Sequence, residues 1–195
     1  MGVREVLVDA YREALPALGA SLVGGLLAGV VLGGMRAELR ALPGLLVLVP
    51  ALLATRGNVY SSLGARIATG LHQGLVEPRV RGGDERLRGA VVAALANGVL
   101  ASLFASVVAF AALSVLGEPV APLRALVGVA LVAGLLSGTA LTVVVVTVVF
   151  AGYRRGRNPD TLVGPLVTTT GDVFGTLFLL VAVRTVLALG LGGGG

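Results

Sequence analysis

The chain has 195 residues, of which 56% are hydrophobic, 13% are charged and 30 are glycine. Its mean hydropathy of +0.98 lies far outside the range of soluble globular domains and indicates an integral membrane protein. The formal net charge of +5 comes from arginines that flank apolar segments, so the lipid bilayer is the expected partner and nucleic acid is not.

Residues 1–15 are predicted to form an amphipathic helix at the membrane surface. Apolar residues recur there at helical spacing, and acidic residues between them distinguish this stretch from a cleavable signal peptide. Five apolar segments follow, at about 16–35, 41–71, 89–116, 122–153 and 160–190. We therefore expect an all-α membrane protein with an interfacial helix at 1–15, a five-helix transmembrane domain at 16–190 and a flexible tail at 191–195.

The second segment is too long for a single span perpendicular to the membrane, because about 31 helical residues would extend ~46 Å against a hydrocarbon core of ~30 Å. Pro43, Pro50 and Gly57 are candidate break points, and Arg56-Gly57-Asn58 is poorly suited to the interior of a lipid-facing helix. Broken helices free backbone carbonyls that can act as oxygen ligands, and they are typical of transport sites. A broken second helix is therefore predicted.

The arginines predict the orientation of the chain in the cell membrane. With a cytoplasmic N-terminus and an external C-terminus, the outer loops hold only Arg36, Arg40 and Arg124. The inner face then collects Arg4, Arg12, Arg79, Arg81, Arg86, Arg88, Arg154, Arg155 and Arg157. This imbalance favours that orientation by the positive-inside rule.

Small residues at four-residue spacing predict close helix packing. The first segment carries Ser21, Gly25, Gly29 and Gly33, and the last two segments carry the pairs Gly134/Gly138 and Gly171/Gly175. Such faces let helix backbones approach one another, either within a bundle or between two chains.

Between Leu162 and Leu189 the only acidic residue is Asp172. A carboxylate near the bilayer centre costs at least ~2.5 kcal/mol, so it needs water, a partner or an ion. It belongs to a polar stripe at helical spacing, which comprises Thr161, Pro165, Thr168 or Thr169, Asp172 and Thr176. Asn58 on the second segment lies at a similar predicted depth, so the two side chains are expected to face one another.

Two motifs surround these residues. The first runs from Val49-Pro50 to Arg56-Gly57-Asn58 and continues to Ser61, Ala65, Arg66 and Thr69. The second is Asn158-Pro159-Asp160, followed by Gly164-Pro165, Thr168-Thr169, Asp172 and Gly175. Together they resemble the membrane domain of the MgtE family of magnesium channels and the related solute-carrier magnesium transporters.

The resemblance implies a homodimer with a pore at or near the subunit interface, lined by the second and fifth helices. It implies that Asp172 binds hydrated Mg2+, with Thr168, Gly57 and Asn58 as neighbours, and that no cofactor is needed besides the transported ion. Bacterial MgtE carries large cytoplasmic regulatory domains before this region, and the 195 residues contain no such domain.

The residue chemistry agrees with a hard divalent cation, since Mg2+ prefers oxygen ligands and retains several waters. A tight zinc site is not expected from one histidine, His72, and no cysteine, and no catalytic constellation indicates an enzyme. Two other hypotheses stay open. Asp172 would be the relay of a proton-coupled carrier of another solute, or it would pair with Arg66 or Arg184 in a membrane scaffold that does not transport.

Overall fold

A computed structural model describes residues 3–78, 84–156 and 159–193 of the chain, which form helices and turns and contain no strand. Asn158, Arg79, Arg81, Arg157 and the end of the predicted tail lie outside these residues. Six helices follow one another: α1 Val3–Gly34, α2 Arg36–Ala41, α3 Leu45–His72, α4 Glu85–Leu116, α5 Leu123–Arg154 and α6 Pro159–Ala188.

Four helices of the described part are long and apolar enough to cross a membrane: Leu45–His72, Glu85–Leu116, Leu123–Arg154 and the Gly164–Ala188 part of α6. They correspond to the second to fifth predicted segments. The apolar part of α1, Leu18–Gly34, is shorter than a full span. The first of the five predicted transmembrane segments, at 16–35, therefore stays a prediction. The α1 backbone is one continuous helix from Val3 to Gly34 and passes through the predicted domain boundary after residue 15.

The second segment breaks only at its beginning, so the predicted breaks at Pro50 and Gly57 are wrong. The chain turns after α2 through Gly44, whose φ of +87° suits a residue without a side chain. From Leu45 the helix α3 continues through Pro50 and Gly57 to His72. Proline removes one backbone hydrogen-bond donor from the helix. The helix nevertheless stays intact, because the flanking helical turns hold it and because α3 packs against α4, α5 and α6.

Two apolar clusters form the core, one at each end of the bundle. The first includes Leu45, Leu126 and Val183, near the beginnings of α3 and α5 and the end of α6. The second includes Leu71 and Val149, at the opposite ends of α3 and α5. Burial of these side chains stabilises the packing of the long helices.

Between the two clusters lies a level of buried polar side chains, which we call the polar layer. It consists of Arg56 on α3, Ser102 on α4, Ser137 on α5 and Thr176 on α6. Each of its three hydroxyls donates a hydrogen bond to the carbonyl four residues earlier in its own helix. The hydroxyls are therefore satisfied locally, as is common in membrane helices.

Glycines allow the closest helix contacts, although not at all of the predicted positions. A Cβ atom at Gly138 on α5 would collide with the hydroxyl of the buried Tyr60, and one at Gly98 on α4 would lie 2.9 Å from the same atom. On α1, the glycine that lies closest to α6 is Gly24, where a Cβ would collide with Thr169. The glycines of the predicted stripe on α1 are offset from this contact.

Gly25, Gly29 and Gly33 of that stripe have open space beside them within this chain. Ser21 does contact α6, since its hydroxyl oxygen lies 3.3 Å from that of Thr169. The other predicted pair, Gly171 and Gly175, does face neighbouring helices, most closely at Gly175.

The beginning of α4 is fixed by Asp84, which accepts hydrogen bonds from the backbone N–H groups of Leu87, Glu77 and Arg86. These bonds, with that from Leu87 foremost, hold the pKa of the Asp84 carboxyl below its usual range, and the charge of Arg86 lowers it further. Asp84 is therefore the N-cap of α4 and also joins the preceding loop to it.

We predict that Asp84→Ala lowers the thermal unfolding temperature of the detergent-purified protein at pH 7. Because the folded pKa is lowered, this stabilisation is fully present above the ordinary aspartate pKa and disappears as pH falls through the folded pKa. The difference between variant and wild type should therefore shrink on acidification.

Glu85→Ala is the matched control, because it removes the neighbouring exposed acid and leaves the cap intact. An Asp84→Ala protein that unfolds at the wild-type temperature at pH 7 would contradict the capping role.

Candidate functional site between α3 and α6

A cavity of about 330 Å³ lies between α3 and α6, and we call it the α3–α6 cavity. It is lined by Leu53, Ala54, Gly57, Asn58 and Ser61 from α3 and by Val167, Thr168, Gly171 and Asp172 from α6. The structure thus brings all four residues that the sequence analysis named as an ion site into one cavity.

The cavity lies near the middle of both helices. Asn58 is 13 residues after the first residue of α3, and Asp172 is 13 residues after the first residue of α6, so each lies ~20 Å along its helix. The carboxylate is therefore at the depth where a charge is most costly in a bilayer.

No basic side chain of the described residues forms an ion pair with Asp172. Arg184 bonds instead to Glu38 of α2, with its Nε 3.0 Å from the carboxylate oxygen. Arg66 lies one helical turn beyond Ser61 and lines two other cavities. Neither arginine that the sequence analysis proposed as a scaffold partner meets Asp172.

Thr168 presents oxygen lone pairs to the cavity. Its hydroxyl donates to the carbonyl of Gly164 at 2.9 Å, so the same oxygen remains an acceptor on the cavity side. Together with the Asp172 carboxylate, the Asn58 amide oxygen and the Ser61 hydroxyl, it makes an oxygen-rich surface in the cavity wall. Oxygen groups of this kind can bind a hard cation or hydrogen-bond the waters that it retains.

The remaining members of the predicted polar stripe on α6 lie elsewhere. Thr169 faces α1 through its contact with Ser21, and Thr176 is buried in the polar layer. The side chain of Thr161 lies outside the described residues. Of the stripe members whose side chains are described, Thr168 and Asp172 are the ones that line the cavity.

The sequence analysis named Arg56 only as part of the Arg56-Gly57-Asn58 motif and gave it no role. Arg56 is 3% exposed and directly precedes Gly57 of the cavity lining. Its Nη1 donates to the carbonyl of Gly175 at 3.2 Å, whereas its Nε and Nη2 have no hydrogen-bond partner within the described part of the chain. The signal was present in the sequence, because a charged residue far inside an apolar segment is a functional candidate by the reasoning applied to Asp172.

Gly175 makes this approach of α3 to α6 feasible. A Cβ atom at Gly175 would lie 2.7 Å from Leu53 Cδ2 and 2.9 Å from Arg56 Nη1. The bare backbone thus allows both side chains to lie against α6 one turn from Asp172.

The fold and the cavity define a helical membrane protein with an oxygen-lined site at mid-depth. A sequence model of the MgtE family, described as divalent cation transporter, matches residues 49–182, which include all the residues that line the cavity. The match covers more than half of the chain, and the protein belongs to the MgtE family of divalent cation transporters. Comparison with curated protein sequences gave no significant match.

We predict that Gly175→Ala weakens the packing of α3 against α6. Overpacking of this kind typically costs about 1–3 kcal/mol, so the thermal unfolding temperature should fall and cation transport should decrease.

Gly164→Ala is the matched control, since it makes the same change in the same helix at a position with open space. Equal unfolding temperatures and equal transport in the two variants would contradict the proposed role of Gly175.

Proposed function

We propose that this protein carries Mg2+ across the membrane along the α3–α6 cavity, with Asp172 as the ion-binding carboxylate. The observation that carries the proposal is the convergence of Asp172, Thr168, Asn58 and Gly57 on one cavity within the region that matches the transporter family. Transport of divalent cations follows from the family, while the choice of Mg2+ and of the path is our proposal.

The chemistry of the cavity favours a hydrated hard cation. Mg2+ gives up its waters reluctantly and is commonly held by one or two carboxylates with several waters retained. The cavity supplies one carboxylate, one amide and the hydroxyl oxygens of Thr168 and Ser61, and a volume of about 330 Å³ holds several waters at ~30 Å³ each. The described residues contain no cluster of three or more histidine, cysteine or acidic residues, so the site suits transient binding.

We further propose that two copies of the chain form the pathway together. A single copy offers one carboxylate in a cavity at its surface, and a second copy related by two-fold symmetry would bring a second Asp172 to the ion. Two carboxylates would balance the two charges of Mg2+, which a single one does not.

The distribution of arginines supports a cell-membrane protein with its N-terminus in the cytoplasm. Among the described residues, Arg154 and Arg155 lie at the end of α5 and Arg86 and Arg88 lie at the beginning of α4, and these two helix ends are on the same side of the bundle. In this orientation the C-terminus of α6 faces outward.

The first test is Mg2+ influx into proteoliposomes that contain the purified protein and an internal Mg2+-sensitive dye. We predict that Asp172→Asn, which keeps the shape of the side chain and removes its charge, lowers influx at least about tenfold, because the cation loses its charged ligand. Glu118→Gln removes an exposed acid between α4 and α5 and should leave influx unchanged.

Wild-type influx that persists in Asp172→Asn would contradict the assignment of the ion site. Flux that follows a pH gradient and is indifferent to Mg2+ would instead select a proton-coupled carrier, and the absence of flux from folded wild-type protein would select a scaffold.

The proposed assembly predicts a protein mass of twice 19.5 kDa when detergent-solubilised protein is measured by light scattering with the detergent contribution subtracted. Active protein that has the mass of one chain would contradict the shared pathway.

A further inference from the structure

A second cavity, of about 440 Å³, lies at the end of the bundle between the last turns of α3 and the beginning of α4. The described residues that line it include two arginines, Arg66 and Arg86, and no acid. Ser62, Thr69 and Gln73 add polar groups on the α3 side. Two cations without a lining acid make this cavity electropositive.

Neither guanidinium forms a hydrogen bond or a salt bridge with the described residues, although the charge of Arg86 interacts at longer range with that of Asp84. The two acids that precede Arg86 in the chain, Asp84 and Glu85, do not line the cavity, and Asp84 accepts three backbone N–H groups at the beginning of α4. Both guanidinium groups are therefore available to an anion, and arginine is well suited to bind phosphate with two parallel hydrogen bonds.

The cavity shares part of its wall with a partly apolar groove, which favours a lipid over a free phosphate ion. Ser62, Arg66 and Ala90 also line a neighbouring cavity of about 250 Å³. Most of the other residues around that groove are apolar, namely Val59, Leu63, Ala93 and Ala94, with Asn58 and Asn97 at its far part. A phosphate ion would use only the arginines, whereas a phospholipid would fill both parts.

The depth of the arginines also fits a lipid headgroup. Arg66 is six residues before the end of α3, or ~9 Å, and Arg86 is the second residue of α4. Long arginine side chains near helix ends extend to the headgroup level while their aliphatic parts stay in apolar surroundings.

From these observations we propose that the cavity between α3 and α4 is a binding site for one anionic phospholipid. Its phosphate binds Arg66 and Arg86, and one acyl chain lies in the groove along Val59, Leu63 and Ala94. Asn58 lines both the groove and the α3–α6 cavity, so the lipid would lie next to a residue of the proposed cation path.

The test is native mass spectrometry of the full chain released from nanodiscs of phosphatidylcholine with or without phosphatidylglycerol. Wild-type protein should retain phosphatidylglycerol, and Arg66→Gln/Arg86→Gln should retain at least about tenfold less, because anionic headgroups gain from each nearby arginine. Arg36→Gln/Arg40→Gln is the matched control, since it removes two exposed arginines at the other end of α3 and should leave retention unchanged.

Equal retention by the wild type and by Arg66→Gln/Arg86→Gln would overturn the proposal, provided that circular dichroism shows the same helix content. Release of the bound lipid by millimolar inorganic phosphate would assign the site to a free anion instead. A change of protein mass in light scattering, with unchanged phosphatidylglycerol retention, would show that a second copy of the chain occupies the cavity.

Discussion

The approach of α3 to α6 at Gly175 sets the geometry on which the candidate site depends. Because Gly175 has no side chain, Leu53 and Arg56 lie directly against the α6 backbone, and Arg56 donates to the Gly175 carbonyl. This contact fixes the rotation and height of α3 relative to α6. One turn further along, the same two helices face each other with Asn58 and Asp172 across the α3–α6 cavity.

Arg56 is an unusual element of such a contact, since two of its nitrogens are buried without a hydrogen-bond partner among the described residues. Buried groups of this kind are costly and seldom retained for stability alone. The polar layer around Arg56 divides the apolar core into two clusters, and the cavity lies at the same level. Core packing at both ends of the helices therefore supports a polar level in the middle, where the proposed transport site lies.

The sequence was sufficient to predict the long helices because their hydropathy is extreme and their ends are marked by charged residues and by glycine or proline. The presence of Asn58 and Asp172 in one cavity was also predictable, since the number of helical residues determines the depth of each side chain. The continuity of α3 through Pro50 was not predictable, because tertiary packing determines whether a helix tolerates proline. The register of the α1 contact was missed for a similar reason, since a glycine stripe predicts close packing but does not identify which neighbour it meets.

Arg56 was given no role because the resemblance to the family rested on its neighbours Gly57 and Asn58. Its burial depends on the packing of α6 against α3, which the sequence alone does not show.

The most direct test of the proposed cation path uses the absence of cysteine from the chain. Ala54→Cys places a thiol in the α3–α6 cavity, and Glu118→Cys places one in the exposed connection between α4 and α5. If this cavity is the cation path, a charged, water-soluble thiol reagent will block Mg2+ influx through the Ala54→Cys protein, and Mg2+ will slow the labelling of that thiol. The Glu118→Cys protein will transport Mg2+ normally after labelling. Full influx through completely labelled Ala54→Cys protein would contradict the account.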